Sequence, residues 1–196
     1  MPSQSQNSTE NGDITRTLSY QELLDEMVNT KDSIYQLNDA IVQYNVEKDK
    51  RFVAFRDSLT YTKLDTLKVK AKVSLKNVTF NDYIVGNNPS DNTFLFFSKI
   101  EFEKEVLITD ASVSNFIGFL NSKFLSRFQI TLDEESLDNR IYFDECLFNS
   151  YTYVSVGKGR IDVRRSEFYP INDTEDKFFD SAHVFVADGE SSWIQF

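Results

Sequence analysis

The chain has 196 residues, 40% of them hydrophobic, and contains 18 phenylalanines, which is enough apolar material for one domain with a core and an appendage. Its formal net charge of −10 argues against direct nucleic-acid binding, which needs clustered lysine and arginine. No apolar run approaches the length of a membrane-spanning helix, and the polar first residues show no signal peptide. We therefore expect no membrane insertion and a location in the cytoplasm or in a virion assembled there.

Residues 1–17 are almost entirely polar. Such a segment cannot bury enough apolar surface to offset the entropy lost on ordering. We interpret it as a disordered arm that docks to a larger protein assembly. Disorder without a partner is the alternative interpretation.

Residues 18–60 contain neither glycine nor proline, and their apolar residues follow a spacing of three and four. This spacing is typical of a coiled coil, and Ser19 with Glu22 forms a capping-box pattern at its start. We predict a helical coiled coil over residues 18–60 that joins copies of the chain into a trimer or dimer. A helix folded back onto the domain is the alternative. The predicted oligomerisation seam consists of Tyr20, Leu23, Met27, Ile34, Leu37, Ile41 and Tyr44.

Five phenylalanines recur through residues 61–196 at steps of 22, 22, 24 and 20 residues. Each follows two apolar residues, seven and five positions earlier, and such a period is typical of a repeat architecture. Short apolar–polar alternation indicates strands. We predict a mainly β chain with a right-handed β-solenoid of about 22-residue coils over residues 61–196, closed by an atypical last coil. The predicted spine of the solenoid consists of Phe80, Phe102, Phe124, Phe148 and Phe168.

Aligning the repeats also predicts which outward side chains are neighbours. The alignment places Glu101 beside Lys123 and Glu145 beside Arg165, and opposite charges on neighbouring strands are mildly favourable. The column three positions before each phenylalanine consists of Asn77, Lys99, Asn121, Glu145 and Arg165.

The sequence predicts no catalytic, cofactor or metal site. Asp144 and Asp162 fall in columns without a second carboxylate, whereas glycoside cleavage needs two that converge. We interpret Cys146 as a packed core thiol and His183, the only histidine, as a structural residue. We therefore predict a protein that is not an enzyme.

Four segments, NVTFND, NSKFLS, ECLFNS and RSEFYP, resemble the steps of degenerate pentapeptide-repeat and related right-handed β-helix proteins. The resemblance covers about residues 73–170 and implies a right-handed solenoid. Some strict members of that family are acidic mimics of duplex DNA. The layout of tail, coiled coil and β-solenoid also resembles the fibre and spike proteins of bacteriophages.

These observations predict a structural or interaction protein. The most concrete version is a particle-associated, phage-like fibre or spike component with a helical oligomerisation stalk and a rigid tip, where a glycan is a further predicted contact. A monomeric acidic adaptor or inhibitor is one alternative. A carbohydrate-binding or carbohydrate-cleaving β-helix is the other.

Overall fold

The computed structural model describes residues 15–45, 47–49, 51, 64–81, 96–114, 116–133, 139–169, 183–187 and 193–195. Within these ranges the chain is mainly β, and its strands form three sheets in which neighbouring strands run parallel. The strands are numbered along the chain from β1 to β17.

The first sheet has seven strands, which are β1 (Arg16–Ser19), β2 (Ile34–Gln43), β4 (Lys72–Asn81), β7 (Val106–Val113), β10 (Phe128–Leu132), β13 (Thr152–Val156) and β16 (His183–Ala187). The second sheet has five, which are β5 (Phe96–Ser98), β8 (Ile117–Leu120), β11 (Asn139–Asp144), β14 (Gly159–Arg164) and β17 (Trp193–Gln195). The third also has five, which are β3 (Leu67–Val69), β6 (Ile100–Phe102), β9 (Lys123–Phe124), β12 (Leu147–Phe148) and β15 (Glu167–Phe168). From β5 onward, consecutive strands join the second, third and first sheets in rotation.

A hydrophobic core takes buried side chains from all three sheets. Along β4, for example, Val73 and Leu75 are buried while Ser74 between them is half-buried. Successive strands of a sheet lie about 4.8 Å apart, so equivalent side chains come into contact. The rings of Phe119 and Phe143, which are partners in the second sheet, stack with their centroids 5.5 Å apart. The core is therefore built from rows of equivalent residues.

The predicted fold class is wrong, because the described residues of the 18–60 range form one short helix and two strands, not a long helix or a coiled coil. In the described part the only helix is α1 (Tyr20–Asn29), and the chain then enters the strand β2. The predicted solenoid of residues 61–196 is replaced by three stacked parallel sheets, and the first of these also includes β1 and β2. The predicted docking arm lies outside the described residues except for its end, where Arg16 and Thr17 belong to β1.

The second half of the predicted seam lies on β2, where an irregularity mimics a coiled-coil pattern. Asp39 has a left-handed φ of 52°, so the strand advances one residue without changing the face it presents. Residues seven apart, such as Ile34 and Ile41, therefore lie on the same, outward side of a strand. Leu37 points inward and is buried, whereas Ile34 is exposed and Tyr44 packs at the edge of the core. These four residues form no common seam.

The first half of the predicted seam lies on α1 and faces the chain's own core. Tyr20, Leu23 and Met27 are all buried. The Tyr20 ring lies 6.3 Å from the ring of Phe80 and 5.6 Å from that of Phe97, centroid to centroid. These side chains are therefore already covered within one chain, and α1 packs over the end of the core near β1, β2 and β3.

Two carboxylates hold the start of α1. The predicted capping box is present, since the Ser19 hydroxyl accepts from the Glu22 N–H and the Glu22 carboxylate accepts from the Ser19 N–H. A hydrogen bond from Lys48, at 2.6 Å, is the main reason why the pKa of Glu22 falls to about 2. Buried Asp49 accepts from the backbone N–H groups of Gln21 and Asn45, at 2.7 and 2.6 Å. The segment after β2 thus fastens the helix to the sheets.

The chain bends at residues in the left-handed region. Seven non-glycine residues of the described ranges have φ between 46° and 53°. Five of them form the column that the repeat alignment places three positions before each phenylalanine, and these are Asn77, Lys99, Asn121, Glu145 and Arg165. A side chain in this region costs about 1–2 kcal/mol, which the surrounding pairing must offset.

We expect Asn121→Val to lower the free energy of unfolding by about 2 kcal/mol, because a β-branched residue fits poorly at a φ of 49°. Asn121→Gly is the matched control, with an expected change within about 1 kcal/mol. Both substitutions remove the 3.3 Å hydrogen bond to Glu145, so their difference isolates the backbone. Urea unfolding measures both, and equal losses would contradict this account of the bend.

Candidate partner-binding face

The structure brings together four of the five residues of the predicted spine. Phe102, Phe124, Phe148 and Phe168 are in register in the third sheet. Their rings stack with centroids 5.3, 4.9 and 4.9 Å apart and nearly parallel planes. Phe80 lies instead on β4 in the first sheet, although it is also fully buried. The stacked rings of this column contribute to the hydrophobic core, and phenylalanine has no polar group with which to bind or react with a ligand.

The charged neighbours predicted from the repeat alignment are confirmed. Glu101 pairs in register with Lys123, and their charged atoms lie 3.8 Å apart. Glu101 also forms an ion pair with Lys68, with 2.9 Å between the charged atoms. The hydrogen bond from Lys68 lowers the pKa of the Glu101 carboxyl group. Arg165 lies 3.0 Å from Glu145. These contacts are exposed at least on the basic side, and each contributes little to stability.

Asp144 and Asp162 are both buried, and each is matched with an arginine. Arg165 binds both oxygens of Asp144, at 2.9 and 2.6 Å, which raises the pKa of the guanidinium. Tyr142 donates to the same carboxylate at 3.4 Å, and burial raises the pKa of this phenol. Arg160 donates to Asp162 at 2.6 Å. A buried carboxylate that is paired with a guanidinium is poorly placed to exchange a proton with a substrate, so the fork on Asp144 and the single contact on Asp162 both favour a structural role.

Cys146 lies in the core at the inner side of a bend. Burial raises the pKa of its thiol to about 12, and the sulfur donates to the carbonyl oxygen of Phe119 at 3.4 Å. A thiol with so little thiolate is a poor nucleophile. His183 lies on β16, where its backbone is in register with Thr152.

The described residues show neither a metal-binding cluster nor a membrane-spanning helix. No group of three or more histidine, cysteine, aspartate or glutamate side chains is placed to hold a metal ion there. In the same part of the chain, no helix has the length and apolar character required to span a bilayer. No protein-family model, curated protein or solved structure matches the chain.

The outer side of the second sheet carries a concentration of arginines. Ile141, Phe143, Ile161 and Val163 point into the core, so the alternate residues of β11 and β14 point outward. Four of the eight arginines of the chain lie on these two strands or directly after β14. We call this surface the arginine face, and it consists of Arg140, Arg160, Arg164 and Arg165 around Tyr142.

Two members of the arginine face are available to a partner. Arg140 and Arg164 are exposed, and neither has a carboxylate within 4 Å among the described residues. The guanidinium of Arg164 lies over the Tyr142 ring, 5.3 Å from its centroid. The Tyr142 ring in turn lies 5.9 Å from that of Phe116, which is also buried. Arg164 thus projects from a packed aromatic support.

Our sequence reasoning missed the arginine face, although the sequence carries its signal. Arg140 and Arg160 each stand directly before an isoleucine of the recurring apolar pair, Ile141 and Ile161. Equivalent positions in neighbouring repeats become neighbouring side chains, so two arginines at one position predict a basic row. Arg140 and Arg160 lie eight positions before Phe148 and Phe168, just outside the seven positions over which the repeats were aligned.

Proposed function

We propose that the protein is a non-enzymatic structural and interaction protein that binds an acidic protein partner through its arginine face. The observation that carries the proposal is the gathering of half of the arginines on two neighbouring strands and the residue directly after them, in a chain with a net charge of −10. Guanidinium groups pair with carboxylates in a bidentate geometry, which suits them to recognition of aspartate and glutamate.

The support beneath the arginines favours binding. Tyr142 and Phe116 are packed, and β11 and β14 pair over six residues. Because the backbone is already ordered, less conformational entropy is lost when a partner binds. A rigid stack of strands with binding groups on its outer side fits an interaction protein better than an enzyme with a closed active site.

The charge pattern of the face favours a partner with spaced negative charges. Three carboxylates, Asp144, Glu145 and Asp162, lie among the four arginines. Duplex DNA carries a negative charge for about every 1.7 Å of its axis, so these carboxylates would oppose it. An acidic segment of a protein carries fewer charges along its length and can place them opposite the arginines alone.

An association with a phage-like particle stays a prediction, as does a location in a virion or in the cytoplasm. The helical stalk is not part of the proposal, because α1 is buried against the chain's own core. The arginine pairing of Asp144 and Asp162 disfavours carbohydrate cleavage. A fully acidic surface, which an inhibitor that mimics DNA would need, is interrupted by the arginine face.

The test is binding of a fluorescent polyglutamate peptide to the full chain. We expect Arg140→Gln/Arg164→Gln to weaken binding roughly tenfold, because two charge-assisted contacts are lost. Arg127→Gln is the matched control, since Arg127 lies at the first sheet beside Glu105, 3.6 Å away. It removes one charge of the same type elsewhere, and we expect less than a twofold change.

Anisotropy titrations at several salt concentrations would measure these affinities. Single-stranded DNA and a sulfated polysaccharide serve as comparison probes, and we expect both to bind more weakly than polyglutamate. Equal binding by the double variant, or a preference for either comparison probe, would contradict the proposal of an acidic protein partner.

A further inference from the structure

The outer side of the third sheet carries two parallel columns of side chains, which we call the third-sheet face. The first column follows the strand register and consists of Lys68, Glu101, Lys123, Leu147 and Glu167. The second column lies one position after the inward-pointing residue of each strand, where backbone hydrogen bonds still link neighbouring strands. It consists of Lys70, Glu103, Leu125, Asn149 and Tyr169. Five rows at about 4.8 Å give the face a length of about 19 Å.

The middle and far rows of this face expose apolar surface. Leu125 is 37% exposed and Tyr169 is 50% exposed, and they are two of the three large hydrophobic residues of the described chain that are exposed to this degree. Leu147 lies half-buried in the row between them. Apolar side chains that gather on one sheet surface indicate a contact site more strongly than isolated ones.

The two ends of the face carry opposite charge. The first row consists of Lys68 and Lys70, whereas the last contains Glu167. Lys70 and Glu167 are both exposed, and neither has an ion pair in the described part of the chain. Lys68 and Lys123 are already held by Glu101. Lys70 and Glu167 therefore lie at opposite ends of the face, Glu103 adds a carboxylate without an ion pair in the second row of the described face, and the apolar residues occupy the middle and far rows.

We propose that two copies of the chain associate through their third-sheet faces, with the two stacks of strands antiparallel. In that arrangement the first row of each copy lies opposite the last row of the other. Lys70 then meets the end that carries Glu167 and Tyr169. The middle row lies opposite itself near the two-fold axis, so Leu125 meets its counterpart, and Lys123 is the one lysine of the face that faces a lysine, beside its own Glu101. A face whose pattern is complementary to its own reverse is the requirement for a symmetric dimer.

The parallel alternative is disfavoured by the same charges. It would place each row opposite itself, so that lysines would face lysines and glutamates would face glutamates. A second copy is also favoured over an unrelated partner, because one face supplies both halves of the complementarity. A face of two columns and five rows buries less surface than a standard interface, which covers about 800 Å² per partner. We therefore expect a weak dimer that exchanges with the monomer.

This inference is independent of the arginine face, which lies on the second sheet. Failure of the dimer would leave polyglutamate binding untouched, and the reverse also holds. The substitutions that test the dimer, at Lys70, Lys76 and Glu167, all lie outside the arginine face.

The test reverses one charge at each end of the face by substitution. Sedimentation velocity over a hundredfold range of protein concentration then measures self-association. We expect wild type to show a monomer–dimer equilibrium. Glu167→Lys and Lys70→Glu should each weaken self-association at least tenfold, since each places like charges opposite one another. Mixed together, the two variants should associate at least as tightly as wild type, because residues 70 and 167 then carry opposite charges at both ends of the contact.

Lys76→Glu is the matched control, as an exposed lysine of the first sheet that undergoes the same change in charge. We expect it to dimerise like wild type. A wild-type chain that stays monomeric throughout, a mixture that associates no better than its components, or a loss of dimer in Lys76→Glu would each overturn the proposal.

Discussion

Replacing Phe124 with alanine is expected to lower the free energy of unfolding by about 3–5 kcal/mol, the usual cost of such a deletion in a packed core. Phe124 is 1% exposed and touches rings on both sides in its own sheet. Its centroid lies 5.3 Å from that of Phe102 and 4.9 Å from that of Phe148. It also lies 4.3 Å from Phe128 of the first sheet. The cavity would therefore open at the junction between sheets, where the short strands leave little freedom to collapse.

Urea unfolding followed by circular dichroism measures this loss. Phe168→Ala is a graded control, because Phe168 occupies the end of the same column and is only partly buried. We expect its loss to be about half as large. Gln129→Ala, on the outward side of β10, should change stability by less than about 0.5 kcal/mol. Equal losses of unfolding free energy in Phe124→Ala and Phe168→Ala would show that the position of a ring in the column does not determine how much it stabilises the protein.

Replacing Asp49 with alanine is expected to cost about 2–4 kcal/mol, because two charge-assisted hydrogen bonds to backbone N–H groups are lost together. Asp49 is 2% exposed, and its oxygens lie 2.7 Å from the Gln21 nitrogen and 2.6 Å from the Asn45 nitrogen. Gln21 lies in the first turn of α1, where a negative charge also interacts favourably with the helix dipole. Both donors would be left without their acceptor.

Asp25→Ala is the control, since Asp25 is an exposed aspartate of the same helix. We expect it to cost less than about 1 kcal/mol. Amide hydrogen exchange should in addition show faster exchange in α1 for Asp49→Ala and little change at β11. Uniformly faster exchange throughout the chain would mean that Asp49 stabilises the whole stack and not the helix attachment.

The sequence predicted register better than it predicted which sheet a residue joins. The steps between phenylalanines identified Glu101 and Lys123 as neighbours, because equal positions in parallel strands lie side by side. The same spacing placed Phe80 with Phe102, yet β4 keeps Phe80 in the first sheet. The bend residues Asn77 and Lys99 have the same φ of 53°. The difference therefore arises from pairing between distant strands, which no local pattern encodes.

The error over residues 18–60 has a different physical cause. A helical seam has apolar residues seven positions apart. In a strand, one left-handed residue also brings residues seven positions apart onto the same face, so both structures give the same spacing of apolar residues. Asp39 is that residue in β2, and aspartate occurs in helices as well as at bends. The capping box at Ser19 was identified because its contacts are local. The arginine face was missed because Arg140 and Arg160 lie eight positions before their phenylalanines, one position beyond the apolar pair that defined the repeat.

The placement of α1 has a consequence for assembly. A stack of parallel strands ends in backbone groups that lack a neighbour, and such an edge is a template on which another chain is able to add strands. Near β1, β2 and β3 the helix covers the apolar end of the core and turns Tyr20 and Leu23 toward the rings beneath. Another chain could extend the rows of stacked side chains at this end only after displacing those ten residues from the core.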